Sequence, residues 1–203
     1  MEIGLLGGSF DPIHYGHLNM AQKAMEEYGL DEVWLIPSGH SPHKAESGMM
    51  SAAHRTAMCR LAAAHYERIC VSTIEVDSTE TSYTYRTITK LHAQYPMHQF
   101  SFIMGADSLD YLEHWRHPEI ICAYARILVI NRGEFTNSVL EYKARQLQSL
   151  YQAHIQFVHT PKVSVSSSEI RRRIAVNIPL DGLLWDDVIA YIRQNHLYGT
   201  NGE

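Results

Sequence analysis

The chain has 203 residues, 45% hydrophobic and 19% charged, enough apolar mass for one domain over residues 1–203 with its own core. A formal net charge of −5 excludes a global basic field for nucleic acid, and no apolar run approaches the roughly 20 residues that a membrane helix needs. Cys59, Cys70 and Cys122 are odd in number and lack Cys-x-x-Cys spacing, so they read as the reduced thiols of a cytoplasmic protein, and the opening residues do not read as a secretory leader.

Taken in chain order, a strand over residues 2–6 precedes a helix over 17–28, and a strand over 32–37 precedes a helix over 51–64. A strand over 68–75 leads to a helix over 83–94, a strand over 99–104 to a helix over 118–124, and a strand over 126–131 to a helix over 138–151. A last strand over 154–158 is followed by helices over 168–176 and 184–195. This alternation predicts an α/β, Rossmann-like, doubly wound fold: a mostly parallel sheet of about six strands with helices on both faces. Ligands of such sheets bind beyond the carboxyl ends of the strands, where strand order reverses. Gly7-Gly8, residues 38–44, Gly105-Ala106-Asp107, Arg132 and Ser166-Ser167-Ser168 all follow predicted strands and should gather at that edge.

The most informative stretch is Leu6-Gly7-Gly8-Ser9-Phe10-Asp11-Pro12-Ile13-His14-Tyr15-Gly16-His17. Two glycines closing a strand let the backbone turn and let a ligand approach it. His14 and His17 project near the start of the next helix, where backbone N–H groups and the helix dipole favour anions. Together these features point to the phosphates of a nucleotide. The stretch is neither a Walker A loop, since no Gly-Lys-Ser/Thr follows, nor a Gly-x-Gly-x-x-Gly fingerprint. Gly-Gly-Ser-Phe-Asp-Pro followed by His-x-Gly-His resembles the signature of the nucleotidyltransferase superfamily that carries a His-x-Gly-His motif, with Ser9 in place of the more usual threonine. The resemblance implies transfer of a nucleotidyl group from a nucleoside triphosphate to a phosphate acceptor, with release of pyrophosphate. It also implies that Gly7, Gly8, Ser9, Phe10, His14 and His17 bind ATP, and that both histidines are catalytic.

Val165-Ser166-Ser167-Ser168-Glu169-Ile170-Arg171 precedes and opens another helix. Alone it reads as a capping cluster. It also resembles the superfamily's Ile-Ser-Ser-Thr-x-Ile-Arg motif, which implies that Ser166, Ser167 and Arg171 hold the ATP phosphates. Arg171, Arg172 and Arg173 point about 100° apart on a helix, so they form no single basic face; the last two read as solvated surface paired with acidic neighbours. An acceptor phosphate is already anionic and needs no general base. Donors and cations from His14, His17, the Gly7-Gly8 backbone, Lys44 and Arg171 could offset the charge crowding the α-phosphorus. Mg²⁺ is expected to bind mainly through the ATP phosphates, without a protein metal site.

Three further segments concern the acceptor: Ser41-Pro42-His43-Lys44, Ser82-Tyr83-Thr84-Tyr85, and Gly105-Ala106-Asp107-Ser108-Leu109 with Trp115 eight residues after Asp107. Ser82 could simply cap a helix, Asp107 a turn, and Trp115 could be core. With the closing segment over residues 190–198, they resemble the bacterial nicotinate-mononucleotide adenylyltransferases, so that the likeness spans nearly the whole chain. That resemblance implies ATP and nicotinate mononucleotide as substrates and nicotinate adenine dinucleotide and pyrophosphate as products. Trp115 would stack on the pyridine ring, and Thr84 with amides near Trp115 and Arg116 would bind the nicotinate carboxylate. Tyr83 and Arg132 would line the acceptor pocket, Lys44 would meet an acceptor or ATP phosphate, and Gly105 and Asp107 would contact ATP, Asp107 through its ribose. Phosphopantetheine adenylyltransferases and cytidylyltransferases share the first motif without this combination, and a class I aminoacyl-tRNA synthetase fragment would call for a Lys-Met-Ser-Lys-Ser loop that is absent. A nucleotide-binding module without catalysis is the alternative of a different class; intact His14, His17 and Arg171 give no sign of lost chemistry. No nucleic-acid or membrane partner is expected, and a homo-oligomer stays open.

Overall fold

Ile127-Leu128-Val129-Ile130 carries an apolar side chain at every position, a pattern stable only in a strand covered on both faces. The computed structural model describes residues 1–40, 48–131, 136–160 and 165–199, with the side chain of Asn137 left aside. In it these four residues are fully buried within β5 (Ala125–Ile130). Ile127 and Val129 enter one core, Leu128 and Ile130 the other. Each such side chain contributes about 1.5–3 kcal/mol by leaving water.

Five more strands join β5: β1 (Glu2–Gly8), β2 (Glu32–Pro37), β3 (Ile69–Val71), β4 (Gln99–Gly105) and β6 (Ile155–Val158). They form one sheet of order β3-β2-β1-β4-β5-β6, and every pairing is parallel. One core packs under α1 (Tyr15–Tyr28), α2 (Ala52–Ala63), α7 (Ser167–Ala175) and α8 (Asp186–Gln194). The other packs under α3 (Thr84–Gln94), α4 (Ala106–Tyr111), α5 (Pro118–Tyr124) and α6 (Asn137–Tyr151). This is the expected doubly wound, Rossmann-like architecture, with the reversal of strand order between β1 and β4.

The elements depart from expectation in several places, beginning with β1, which runs on through Gly7 and Gly8, paired with Ile36 and Pro37, where the glycines were expected to follow the strand. Helix α1 begins at Tyr15, before residue 17, with His14 at its N-cap. The strand expected over 68–75 stops at Val71, because Thr73 and Asp77 close a turn: the Asp77 N–H donates to the Thr73 carbonyl (2.8 Å) and the Thr73 hydroxyl to Asp77 Oδ2 (2.6 Å). Helix α4 and the 3-10 turn at Leu112–His114 were not expected; they bury Ala106, Leu109 and Leu112 and fill the space between β4 and α5. Among the described residues no helix is long and apolar enough to cross a membrane.

Candidate active site

The middle residue of His-x-Gly-His has a steric reason to be glycine. A Cβ on Gly16 would lie 2.9 Å from Val165 Cγ1 and 3.0 Å from the His14 ring, so only glycine lets the start of α1 approach the segment that leads into α7. The two signature segments meet there. The Ser167 hydroxyl donates to the Pro12 carbonyl at 2.9 Å, and the Ser166 hydroxyl caps α7 by accepting from the Glu169 N–H at 3.2 Å. His14 is buried and stacks on His17 with ring centroids 3.7 Å apart. The His14 N–H donates to His17 Nδ1 at 3.2 Å, which puts the proton of a neutral His17 ring on Nε2. Phe10 packs edge-on against His17, with centroids 5.0 Å apart.

Asp11 joins distant parts of the chain. Its carboxylate is 4% exposed and accepts from the Tyr198 hydroxyl at 2.6 Å and from the Met50 N–H at 3.3 Å. Its carbonyl accepts from Arg171 Nη1 at 2.6 Å, and Arg171 Nη2 donates to Ser168 Oγ at 3.2 Å. Burial and the hydrogen bond to Asp11 push the Tyr198 phenol up, so it stays protonated and remains a donor. Arg172 and Arg173 instead both bond Glu169, and those hydrogen bonds hold its carboxyl down to about 2.

Beside this cluster a cleft of about 240 Å³ opens at the carboxyl edge of β1 and β2. Gly7, Gly8 and Ser9 line it, and so do Tyr83, Thr84, Trp115 and Arg116. The cleft therefore brings residues expected at ATP together with residues expected at the acceptor. Trp115 is half-buried and meets Phe102 edge to face at 6.1 Å. Arg116 lies over the Tyr83 ring, 5.1 Å from its centroid. Thr84 is the first residue of α3, whose first turn presents backbone amides. Gly105 ends β4 and Asp107 sits in the first turn of α4, on the same sheet edge but outside the cleft wall. Lys44 and Arg132 lie outside the described residues.

Two residues that the sequence reading did not single out, Arg55 behind the cleft and Glu75 in its wall, tie these segments together. Arg55 of α2 is 1% exposed and donates to the carbonyls of Ser9 (2.7 Å), Ser38 (2.7 Å) and Met50 (3.0 Å). Glu75 lines the cleft and accepts from the Thr87 hydroxyl at 2.7 Å. Burial pushes the Glu75 carboxyl up, opposed by hydrogen bonds from Thr87, Ser82 and the Gly39 amide and by the charge of Arg55. A readable signal existed for Arg55: it shares the core-facing stripe of its helix with Cys59 and Ala62.

Residues 5–173 match the cytidylyltransferase-like family. The chain is 36% identical over 199 residues to the probable nicotinate-nucleotide adenylyltransferase of Bacillus licheniformis, covering 98% of this chain and 99% of that protein. It is 37% identical over 197 residues to the probable nicotinate-nucleotide adenylyltransferase of Carboxydothermus hydrogenoformans, covering 97% and 98% respectively. Among solved structures it is similar in fold to the Plasmodium falciparum nicotinic acid mononucleotide adenylyltransferase complexed with NaAD, with a TM-score of 0.80, 22% identity and 97% of each chain covered.

Proposed function

As a member of the cytidylyltransferase-like family, and of the nicotinate-nucleotide adenylyltransferases within it, the chain is an enzyme that adenylylates nicotinate mononucleotide in NAD biosynthesis, and we propose that it does so by in-line attack in the cleft beside His14 and His17. An oxygen of the acceptor 5′-phosphate forms a bond to the α-phosphorus of ATP as the bond to the bridging oxygen of pyrophosphate breaks. The products are nicotinate adenine dinucleotide and pyrophosphate, with no covalent enzyme intermediate. The observation that carries this reading is a cleft lined both by Gly7, Gly8 and Ser9 and by Thr84 and Trp115.

The attacking oxygen is anionic already, so the barrier lies in gathering negative charge at the α-phosphorus. Preorganised donors answer that need, because they are in place before charge develops. His17 Nε2–H, His14, the Gly7-Gly8 amides and Arg171 are the donors assigned here, with Ser166 and Ser167 holding the phosphates and Lys44 keeping the phosphate role that its motif implies. Gly105 and Asp107 take the nucleoside, Asp107 through the ribose. Trp115, braced by Phe102, stacks on the pyridine ring, and the first turn of α3 at Thr84 receives the nicotinate carboxylate. Tyr83, Arg116 and Arg132 complete the acceptor side.

Magnesium enters this proposal through the phosphates of ATP. Among the described residues no group of three or more His, Cys, Asp and Glu is placed to hold a metal ion, and Mg²⁺ prefers phosphate oxygens and water to a protein cage. Its contribution there is neutralisation of charge on the departing pyrophosphate. A cytoplasmic setting is part of the same reading and is supported by three free cysteines.

The test offers ATP and Mg²⁺ with nicotinate mononucleotide, nicotinamide mononucleotide or phosphopantetheine in parallel and measures pyrophosphate. Strong preference for nicotinate mononucleotide is the expected result. Turnover with phosphopantetheine instead would keep the chemistry and remove the roles of Thr84 and Trp115.

A further inference from the structure

We propose that Arg55 and Glu75 are positioning residues that set the nucleotide half of the cleft against the acceptor half by gripping the two ends of one peptide group, Ser38–Gly39. The carbonyl of that peptide accepts from Arg55 Nη2 at 2.7 Å. Its N–H donates to the Ser82 hydroxyl at 3.1 Å, and both that hydroxyl and the Gly39 amide favour the ionised Glu75 carboxylate beside them. One end is held by a buried cation, the other by Ser82 with the half-buried Glu75 carboxylate beside it.

Each grip reaches a different half of the site. Arg55 Nη1 also donates to the Ser9 carbonyl at 2.7 Å, and the Ser38 N–H donates to the Gly8 carbonyl at 2.9 Å, so the peptide is tied to the Gly-Gly-Ser segment. On the other side, Ser82 immediately precedes Tyr83 and Thr84, and Glu75 also holds Thr87 in the first turns of α3. Gly39 leaves no slack between them, because a side chain there would run into the Glu75 carbonyl.

The chemistry explains why these residue types suit the task. Arg55 has a planar guanidinium that serves three carbonyls from three chain segments at once; a lysine ammonium cannot reproduce that fork. A guanidinium with 1% exposure costs heavily to desolvate, and a buried charge is retained where it fixes an arrangement that apolar packing would leave loose. In-line transfer depends on such an arrangement: a misplacement of about 1 Å between reacting groups costs on the order of 10²-fold.

This inference rests on the adenylyl-transfer reading, and the experiment separates the two. Full-length wild type, Arg55→Lys, Glu75→Gln and Ser82→Ala would be compared for kcat, for binding of ATP and of nicotinate mononucleotide measured separately, and for folded fraction at the assay temperature. The expected result is a fall in kcat of about 30- to 100-fold in Glu75→Gln and Arg55→Lys, with each substrate binding within about threefold of wild type. Should Arg55→Lys fail to fold, Glu75→Gln and Ser82→Ala carry the same readout. Wild-type turnover with folded variants matching it within about threefold overturns the inference alone, as does a loss of kcat that merely follows the folded fraction. No turnover by the wild type overturns the adenylyl-transfer reading and this inference with it.

Discussion

Arg171 reaches 160 residues back along the chain to donate from Nη1 to the main-chain oxygen of Asp11 at 2.6 Å. The bond fixes a guanidinium against the segment that leads into α1, with His14 at its N-cap and His17 in its first turn, so the cation of the second signature and the imidazoles of the first share one frame. The Arg171 side chain keeps 36% exposure, which leaves part of the guanidinium facing solvent.

Arg171→Lys should therefore be far from conservative. A lysine cannot bridge the Asp11 carbonyl and Ser168 Oγ while also meeting a phosphate. We expect kcat/KM for ATP to fall by roughly 10- to 100-fold, about the worth of one charged hydrogen bond, with the melting temperature little changed. Steady-state kinetics at varied ATP checks this.

His17→Ala removes a donor whose protonated nitrogen is set by the His14 amide. Loss of one transition-state donor commonly lowers kcat by about 10²–10³-fold, and at least that is expected here with the fold intact. Near-normal turnover would remove the role assigned to His17.

Trp115→Ala takes away the ring that lines the acceptor side of the cleft. KM for nicotinate mononucleotide should rise while KM for ATP stays close to wild type, because the ring is assigned to the pyridine and to no part of ATP. Equal effects on both would argue that the residue acts only as core.

Tyr198→Phe leaves the buried Asp11 carboxylate without its shortest hydrogen bond, 2.6 Å long. Stability should drop by about 1–3 kcal/mol, the usual penalty for such a loss. The denaturant midpoint is the direct measure, and a fall in kcat at a temperature where the variant is folded would show that Asp11 also places the histidines.

The architecture was legible because its signals are local. Continuous apolar runs such as residues 127–130 and the spacing of helices around them require a sheet covered on both faces, and β5 shows it. The two signatures were equally readable as short patterns, although Gly7 and Gly8 end β1 in place of forming the turn after it. The strand over 68–75 was overestimated because Ile74 and Val76 continue an apolar rhythm, while the Thr73–Asp77 hydrogen bonds that end it depend on side-chain chemistry. Helix α4 escaped notice because six residues give too little periodicity. Arg55 and Glu75 give no local signal of their role because their partners Ser9, Ser38 and Thr87 come from two loops and a helix that only the fold brings together.

The bond between Asp11 and Tyr198 spans 187 positions, and the bond from Arg171 to Asp11 spans 160. During translation, the start of α1 with both histidines leaves the ribosome long before the guanidinium and the phenol that bond Asp11 beside it. A nascent chain with β1 and α1 already formed still lacks the partners of Asp11. The hydrogen-bonded frame around His14 is thus completed only when nearly all of these 203 residues have emerged.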